Sequence, residues 1–141
     1  RQLRPPALDE LSFKEALHHL LNEFAFAERG IRCHFDYQLT ATPESETVRF
    51  TLYRLLQELL NNVCKHADAS EVAIALFQQG TRLRLEVKDN GVGISPDKIA
   101  GFGIQGMRER VSALGGELTL ESQRGTRVIV NLPTNLQQTS R

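Results

Sequence analysis

The sequence predicts a two-layer α+β sandwich, with helices covering one face of a mixed, mainly antiparallel sheet. Two hairpin-like segments alternate apolar and polar residues, and three other segments are amphipathic at helical spacing. The chain has 141 residues, 40% of them hydrophobic, which suffices for one compact core. We expect residues 12–133 to form that domain, between an N-terminal linker (1–11) and a flexible tail (134–141).

The first half of the chain predicts two helices and a strand. Ser12 suits the N-cap of a helix whose apolar residues recur at helical spacing until Gly30 ends it. Residues 31–39 are predicted as a strand. Pro43 then begins a longer, leucine-rich helix, which we expect to run to about Ala67.

The second half predicts two hairpins around a third helix. Residues 72–87 alternate as an antiparallel hairpin with one solvated face. A glycine-bearing loop (89–102) leads into a helix over 104–114, and Gly115 ends that helix. Residues 118–132 form the last hairpin, turning at Ser122-Gln123-Arg124-Gly125.

Composition excludes several functions. Seventeen Lys plus Arg balance seventeen Asp plus Glu, so no broad basic field is available to bind nucleic acid. Cys33 and Cys64 lack CxxC spacing, and we expect two reduced thiols of a cytosolic protein. No run of eighteen apolar residues marks a membrane span in this sequence.

A polar ridge runs along the long predicted helix. Glu58, Asn62 and His66 are spaced at i, i+4 and i+8 and therefore share a face. Helical geometry puts Asn62 at the border between the leucine stripe and solvent, where a ligand can be reached. Taken alone, Glu58 and Asn62 more often belong to an ordinary solvated helix face.

Two glycine-rich segments follow the first hairpin. The first is Asp89-Asn90-Gly91-Val92-Gly93-Ile94. It is consistent with a plain turn, or with a site in which the Asp89 carboxylate accepts a hydrogen bond from the exocyclic amine of adenine. Gly101-Phe102-Gly103-Ile104-Gln105-Gly106 precedes a helix, whose N-terminal N–H groups favour phosphate. No strand stands directly before these glycines and no Gly-Lys pair occurs, which excludes Rossmann and Walker A sites.

Together these motifs resemble those of the ATPase superfamily shared by gyrase, Hsp90, histidine kinases and MutL. The segments 57–67 and 106–111 are similar to those of sensor histidine kinases related to the nitrate and hexose-phosphate sensors. The resemblance covers about residues 3–133 and implies a Bergerat-type ATP-binding catalytic domain. The four motifs are Glu58–Asn62, Asp89–Gly93, Gly101–Gly106 and Gly125–Thr126.

The resemblance assigns roles to individual residues. Asn62 would coordinate Mg²⁺ on ATP, Asp89 would select adenine, and Thr126 would support Asp89. Glu58 would orient the incoming histidine or limit hydrolysis, while Lys65 would offer positive charge to the triphosphate. The other implied nucleotide contacts are His66, which is also an implied catalytic residue, and Gly91, Gly93, Ile94, Gly101, Phe102, Gly103, Ile104, Gly106 and Met107.

The resemblance also implies partners. Only seven residues separate Gly93 from Gly101, which matches a short-lid subfamily, and His66 stands where many kinases have a second asparagine. No phosphoacceptor motif occurs, and we expect His18 and His19 to be surface residues. The acceptor would lie on a separate helical dimerisation domain joined through residues 1–11, with a response regulator downstream.

The resemblance further implies that the fragment is monomeric. The whole protein would be a homodimer in the bacterial inner membrane, with this domain in the cytoplasm. Rival interpretations are a nucleotide-gated interaction module, an anti-sigma serine kinase and an α+β binding domain without nucleotide.

Overall fold

A computed structural model describes residues 4–135. Its centre is a five-stranded sheet in the order β1-β2-β3-β5-β4. The strands are β1 (Arg32–Tyr37), β2 (Glu71–Gln79), β3 (Arg82–Asp89), β4 (Glu117–Gln123) and β5 (Gly125–Pro133). The helices are α1 (Ala7–Glu10), α2 (Phe13–Phe24), α3 (Glu46–Asn62) and α4 (Ile104–Ala113).

The sheet is mixed, as predicted. Strand β1 pairs parallel with β2, placing Phe35 beside Ile74, and the other three pairings are antiparallel. Buried and exposed residues alternate along β2 and β3, so one face of the sheet is covered and the other remains accessible. This arrangement confirms the predicted α+β architecture.

Helix α3 is held firmly against the covered face. Leu52, Leu55, Leu56 and Leu60 are each no more than 2% exposed. Burying a leucine side chain contributes roughly 1.5–3 kcal/mol, so this stripe anchors the helix strongly. Polar residues on the same helix are therefore placed by a rigid element rather than by a mobile loop.

Helix boundaries follow local capping groups. Ser12 caps α2 as predicted, and its side chain and that of Glu15 each bond the other's backbone N–H at 3.1 Å. Helix α3 begins at Glu46 rather than Pro43, because the Ser45 hydroxyl accepts the Val48 N–H at 3.2 Å.

A π-helical turn over Val63–Ala67 continues α3. It ends at Asp68, which adopts a left-handed conformation. The predicted end of this helix near Ala67 is thus confirmed, although its last turn is not α-helical.

The described residues nearest the two ends, 4–11 and 134–135, add little regular structure. Part of the predicted linker forms α1, and Ala7 and Leu8 pack against the core. Residues 1–3, and 136–141 of the predicted tail, lie outside the described residues. None of the helices within 4–135 combines the length and the apolar character that crossing a membrane requires.

Candidate functional site

A pocket lies between the C-terminal end of α3, the sheet and the segment before α4. It encloses about 380 Å³ of space outside the protein atoms, part of it open to solvent. Asp89 is the one charged residue that lines it. Its apolar walls are formed by Leu59, Val63, Val87, Ile94, Ile104 and Val128.

Asp89 lies at the inner end of this pocket and is only 5% exposed. Its Oδ1 accepts the backbone N–H groups of Gly91 at 2.8 Å and Thr126 at 3.3 Å. Neither bond uses Oδ2, which leaves that oxygen for a ligand donor. Burial raises the pKa of Asp89 above its ordinary value, while the two N–H donors act in the opposite direction.

The position of Asp89 is fixed by the close packing of the backbones of β2, β3 and β5 around it. The Asn90 side chain accepts the N–H groups of Ser70 and Glu71, each at 2.9 Å, and so ties the end of β3 to the start of β2. At Gly125 (φ +95°), an added Cβ would lie 2.0 Å from the Asp89 carbonyl oxygen. Only glycine therefore allows β5 to pass this close to Asp89.

Gly93 serves the neighbouring loop in the same way. It has a φ of +79°, and an added Cβ would lie 2.7 Å from the Ser122 hydroxyl oxygen. That hydroxyl also accepts the Ile94 N–H at 2.6 Å. The pocket rim thus rests on the end of β4, and the base-pocket role of Gly93 stays a prediction.

The glycine-rich segment folds back onto α3. It forms a 3-10 turn over Pro96–Phe102, followed by Gly103 in a left-handed conformation at the N-cap of α4. The Asn62 amide nitrogen donates to the Phe102 carbonyl at 2.8 Å, and the ring centroids of His66 and Phe102 are 4.3 Å apart. The polar ridge predicted on α3 therefore meets the predicted lid.

A second, more open cleft adjoins the pocket. The two cavities share Gly93, Ile94 and Phe102, and His66 and Lys98 line the outer one. Apolar side chains line most of the inner pocket, whereas Lys98 and His66 line the outer cleft. This lining suits a ligand with an apolar ring and an anionic tail.

Glu58 and Arg110 form a salt bridge between helices. Arg110 Nη2 donates to Glu58 Oε2 at 2.5 Å, and so joins α3 to α4 beside the glycine-rich segment. An added Cβ on Gly103 would lie 3.9 Å from the other carboxylate oxygen, Oε1. Glu58 is therefore adjacent to the predicted lid, one helical turn from Asn62.

Several predicted ligand residues lie at the margin of the site. Lys65 is exposed and makes no hydrogen bond or ion pair within residues 4–135. Gly101 lines the outer cleft, whereas Gly106 is exposed in the first turn of α4. Met107 is fully buried and does not line the pocket. The assignments of these residues to ATP stay predictions.

Sequence reasoning left four residues of this region without a role. Lys98, Arg110 and Ser122 were not singled out, and Gly125 was quoted only as part of a motif. Gly125 carried a usable signal, since a glycine in a hairpin turn often takes a positive φ. The other three are recognisable only from contacts with residues far away in the chain.

A metal would have few protein ligands here. Within residues 4–135, no group of three or more His, Cys, Asp or Glu side chains is arranged to hold an ion. Asn62 donates through its nitrogen to Phe102, which leaves its Oδ1 as an oxygen donor at the pocket rim. One oxygen ligand is consistent with Mg²⁺, which commonly binds through one or two protein oxygens and substrate phosphates.

The fold and the site define a nucleotide-binding domain: a helix-covered sheet, a buried carboxylate at the base of an apolar pocket and a glycine-rich lid. The chain belongs to the family of histidine kinase-, DNA gyrase B- and HSP90-like ATPases, whose model matches residues 47–136. This match confirms the superfamily that the four motifs predicted.

Two curated relatives are histidine kinases. The chain is 49% identical to the signal transduction histidine-protein kinase/phosphatase UhpB of Salmonella typhimurium, over 94% of this chain and 27% of that protein. It is 38% identical to the sensor histidine kinase LiaS of Bacillus subtilis, over 93% of this chain and 37% of that protein. The chain therefore spans well under half the length of either relative.

A solved structure confirms the fold. The histidine kinase domain of the blue-light-activated kinase EL346 of Erythrobacter litoralis matches with a TM-score of 0.68. The match covers 86% of this chain and 61% of that one at 23% identity. The predicted fold and the predicted relation to sensor histidine kinases are thus both confirmed.

Proposed function

We propose that this chain is the catalytic domain of a sensor histidine kinase, which binds Mg-ATP and transfers the γ-phosphate to a histidine on a separate helical domain. The observation that carries the proposal is the buried Asp89 carboxylate in the lining of an apolar pocket, with a cleft lined by Lys98 and His66 beside it. The similarity of this chain to UhpB and LiaS, which are histidine kinases, favours histidine as the acceptor.

Adenine recognition follows from the inner pocket. Asp89 Oδ2 accepts a hydrogen bond from the exocyclic amine of adenine, while Oδ1 remains fixed by the N–H groups of Gly91 and Thr126. Val87 and Val128 on the sheet and Leu59 on α3 enclose the ring. Guanine presents a carbonyl where adenine has its amine, so the carboxylate discriminates against GTP.

The triphosphate occupies the outer cleft. Lys98 and His66 line this space and offer positive charge or hydrogen bonds to phosphate oxygens. Whereas Ser12 and Ser45 cap α2 and α3, no side chain caps the N-terminus of α4. The free N–H groups of its first turn therefore remain available to phosphate.

Asn62 would hold the metal through its Oδ1. When bound, Mg²⁺ would neutralise charge on the phosphate oxygens. Because Asn62 also bonds the Phe102 carbonyl, the metal ligand and the lid are ordered together. Catalysis by this domain consists mainly of positioning and charge stabilisation.

The proposed partners are a helical dimerisation domain that carries the acceptor histidine, and a response regulator downstream. His18 and His19 lie exposed on α2, far in sequence from the four nucleotide-binding motifs, and neither is proposed as the acceptor. We further propose that the fragment is a monomer. The whole kinase is then a homodimer in the bacterial inner membrane, with this domain in the cytoplasm.

The proposal is tested by mixing this chain with the helical domain of its parent kinase and γ-labelled ATP. We expect Mg²⁺-dependent label on histidine that resists alkali and is released by acid. Asn62→Ala should remove the metal dependence, and exposed Asn61→Ala on the same helix is the matched control. ATP binding without labelled histidine would favour a nucleotide-gated interaction module, and labelled serine would favour the anti-sigma kinase.

A further inference from the structure

The proposed function leaves the part played by Glu58 open, and the structure shows what holds this side chain. Arg110, 52 residues away in the chain, donates to Glu58 Oε2 at 2.5 Å. The side chains of Arg110 and Glu58 are 38% and 30% exposed, so both are partly shielded from water. The contact is therefore less screened than an ordinary surface salt bridge.

The geometry separates the two carboxylate oxygens of Glu58. Oε2 is bound by Arg110, whereas Oε1 faces Gly103, at the end of the lid. Asn62, the proposed metal ligand, lies four residues further along the same helix. Oε1 is thus directed toward the lid, one helical turn from the proposed metal ligand.

Arg110 adopts this position at an energetic cost. Its Nε is buried and has no hydrogen-bond partner within residues 4–135. A buried donor without a partner is unfavourable. By contrast, Arg108 on the same helix uses its Nε to donate to the Leu118 carbonyl at 3.3 Å. The contact that holds the Arg110 side chain is therefore the one with Glu58, while its Nε stays unpaired within the described residues.

We infer that Arg110 is a positioning residue for phosphotransfer and acts through Glu58. It holds the carboxylate in one rotamer, with Oε1 turned toward the lid, where it accepts an N–H of the incoming imidazole and orients that ring. The inference rests on the proposed function, because that function supplies the histidine acceptor.

The test compares Arg110→Gln, Glu58→Gln and the double variant in labelling the parent kinase's helical domain, with Arg108→Gln as the matched control. We expect Arg110→Gln to lower kcat by on the order of 10- to 100-fold, the usual effect of misplacing a reacting group. The affinity for a non-hydrolysable ATP analogue and the KM for ATP should remain at the values of the unaltered chain. Arg110→Lys should recover part of the rate.

The double variant separates positioning from a general structural role. If Arg110 acts through Glu58, adding Arg110→Gln to Glu58→Gln should lower the rate no further. The inference would be overturned if the two substitutions lowered the rate independently, so that their effects multiplied, or if the Arg110→Gln chain were as fast as the unaltered one. If Arg110→Gln fails to fold, the comparison is made with Arg110→Met, whose uncharged side chain cannot bind Glu58, and a full unaltered rate there has the same meaning.

Failure of the proposed function gives a different result. The unaltered chain would then fail to bind ATP, or would put no label on histidine under any condition. That outcome overturns both proposals, because the inference requires a histidine acceptor. A labelled histidine with unchanged variant rates overturns the inference alone.

Discussion

Replacing Asp89 with asparagine is the sharpest perturbation of the proposed adenine site. Asparagine keeps the shape of the side chain, and its own oxygen can still accept the N–H groups of Gly91 and Thr126. The second oxygen becomes an NH₂ group, which would face the adenine amine donor to donor. The substitution therefore removes the ligand contact and leaves the backbone anchoring in place.

The magnitude follows from the lost hydrogen bond. A hydrogen bond to a charged group contributes about 1.5–3 kcal/mol, and each 1.4 kcal/mol is tenfold in affinity. We therefore expect the Kd for a non-hydrolysable ATP analogue to rise on the order of 10- to 100-fold. Selectivity against the GTP analogue should shrink, because the NH₂ group of asparagine can donate to the guanine carbonyl.

Isothermal titration calorimetry with both analogues measures these changes, and thermal melting checks the fold. Burial raises the pKa of Asp89, so its charge is a cost to the folded state, and Asp89→Asn should melt no lower than the unaltered chain. The matched control is Asp36→Asn, at an exposed position on β1. A folded Asp89→Asn chain with unchanged ATP affinity would refute the adenine assignment.

Three further predictions concern pH and backbone packing. The pKa of Asp89 is raised from 3.8, and adenine binds its ionised form, so ATP affinity should fall as acidification protonates the carboxylate. Calorimetry should show a smaller fall for Asp89→Asn. The contribution of Asp89 to stability is fully present below pH 3.8, so the lost affinity does not come from unfolding caused by Asp89. Gly125→Ala should lower the free energy of unfolding by at least about 1–3 kcal/mol in urea melts, because the added Cβ would overlap the Asp89 carbonyl oxygen. Gly80→Ala is the control: it also has a positive φ but lies in open space, so it tests backbone strain alone. Partial burial acts to raise the pKa of Glu86, but Arg127 and Arg84 lower it overall from 4.5. Glu86→Gln should therefore lower the Tm at neutral pH, and the difference in Tm between the variant and the unaltered chain should disappear as the pH falls below 4.5.

The sequence predicted the long helix well, because its signals are local. The leucine stripe repeats at helical spacing, and the same spacing placed Glu58 and Asn62 on one ridge. Where the helix begins was not read correctly from Pro43, because the Ser45 hydroxyl supplies the actual cap. The π turn after Asn62 left no signal in the spacing of apolar residues.

The sheet was predicted in class but not in order. Alternation along residues 72–87 is local and predicted a hairpin, which the structure confirms as β2 and β3. The parallel partner of β1 lies beyond the whole of α3, and nothing local distinguishes one partner strand from another. Strand pairing between distant segments depends on how the complete core packs.

The sequence by itself determined the elements of this protein and the chemistry of its motifs: a carboxylate at a strand end, an asparagine on a helix and glycines before a helix. These are readable because caps, periodicity and turn chemistry act over a few neighbouring residues. Only the tertiary structure decided which of them meet. Asn62 reaches the Phe102 carbonyl across 40 residues, and Arg110 reaches Glu58 across 52, since burial of a shared core brings their helices and lid together.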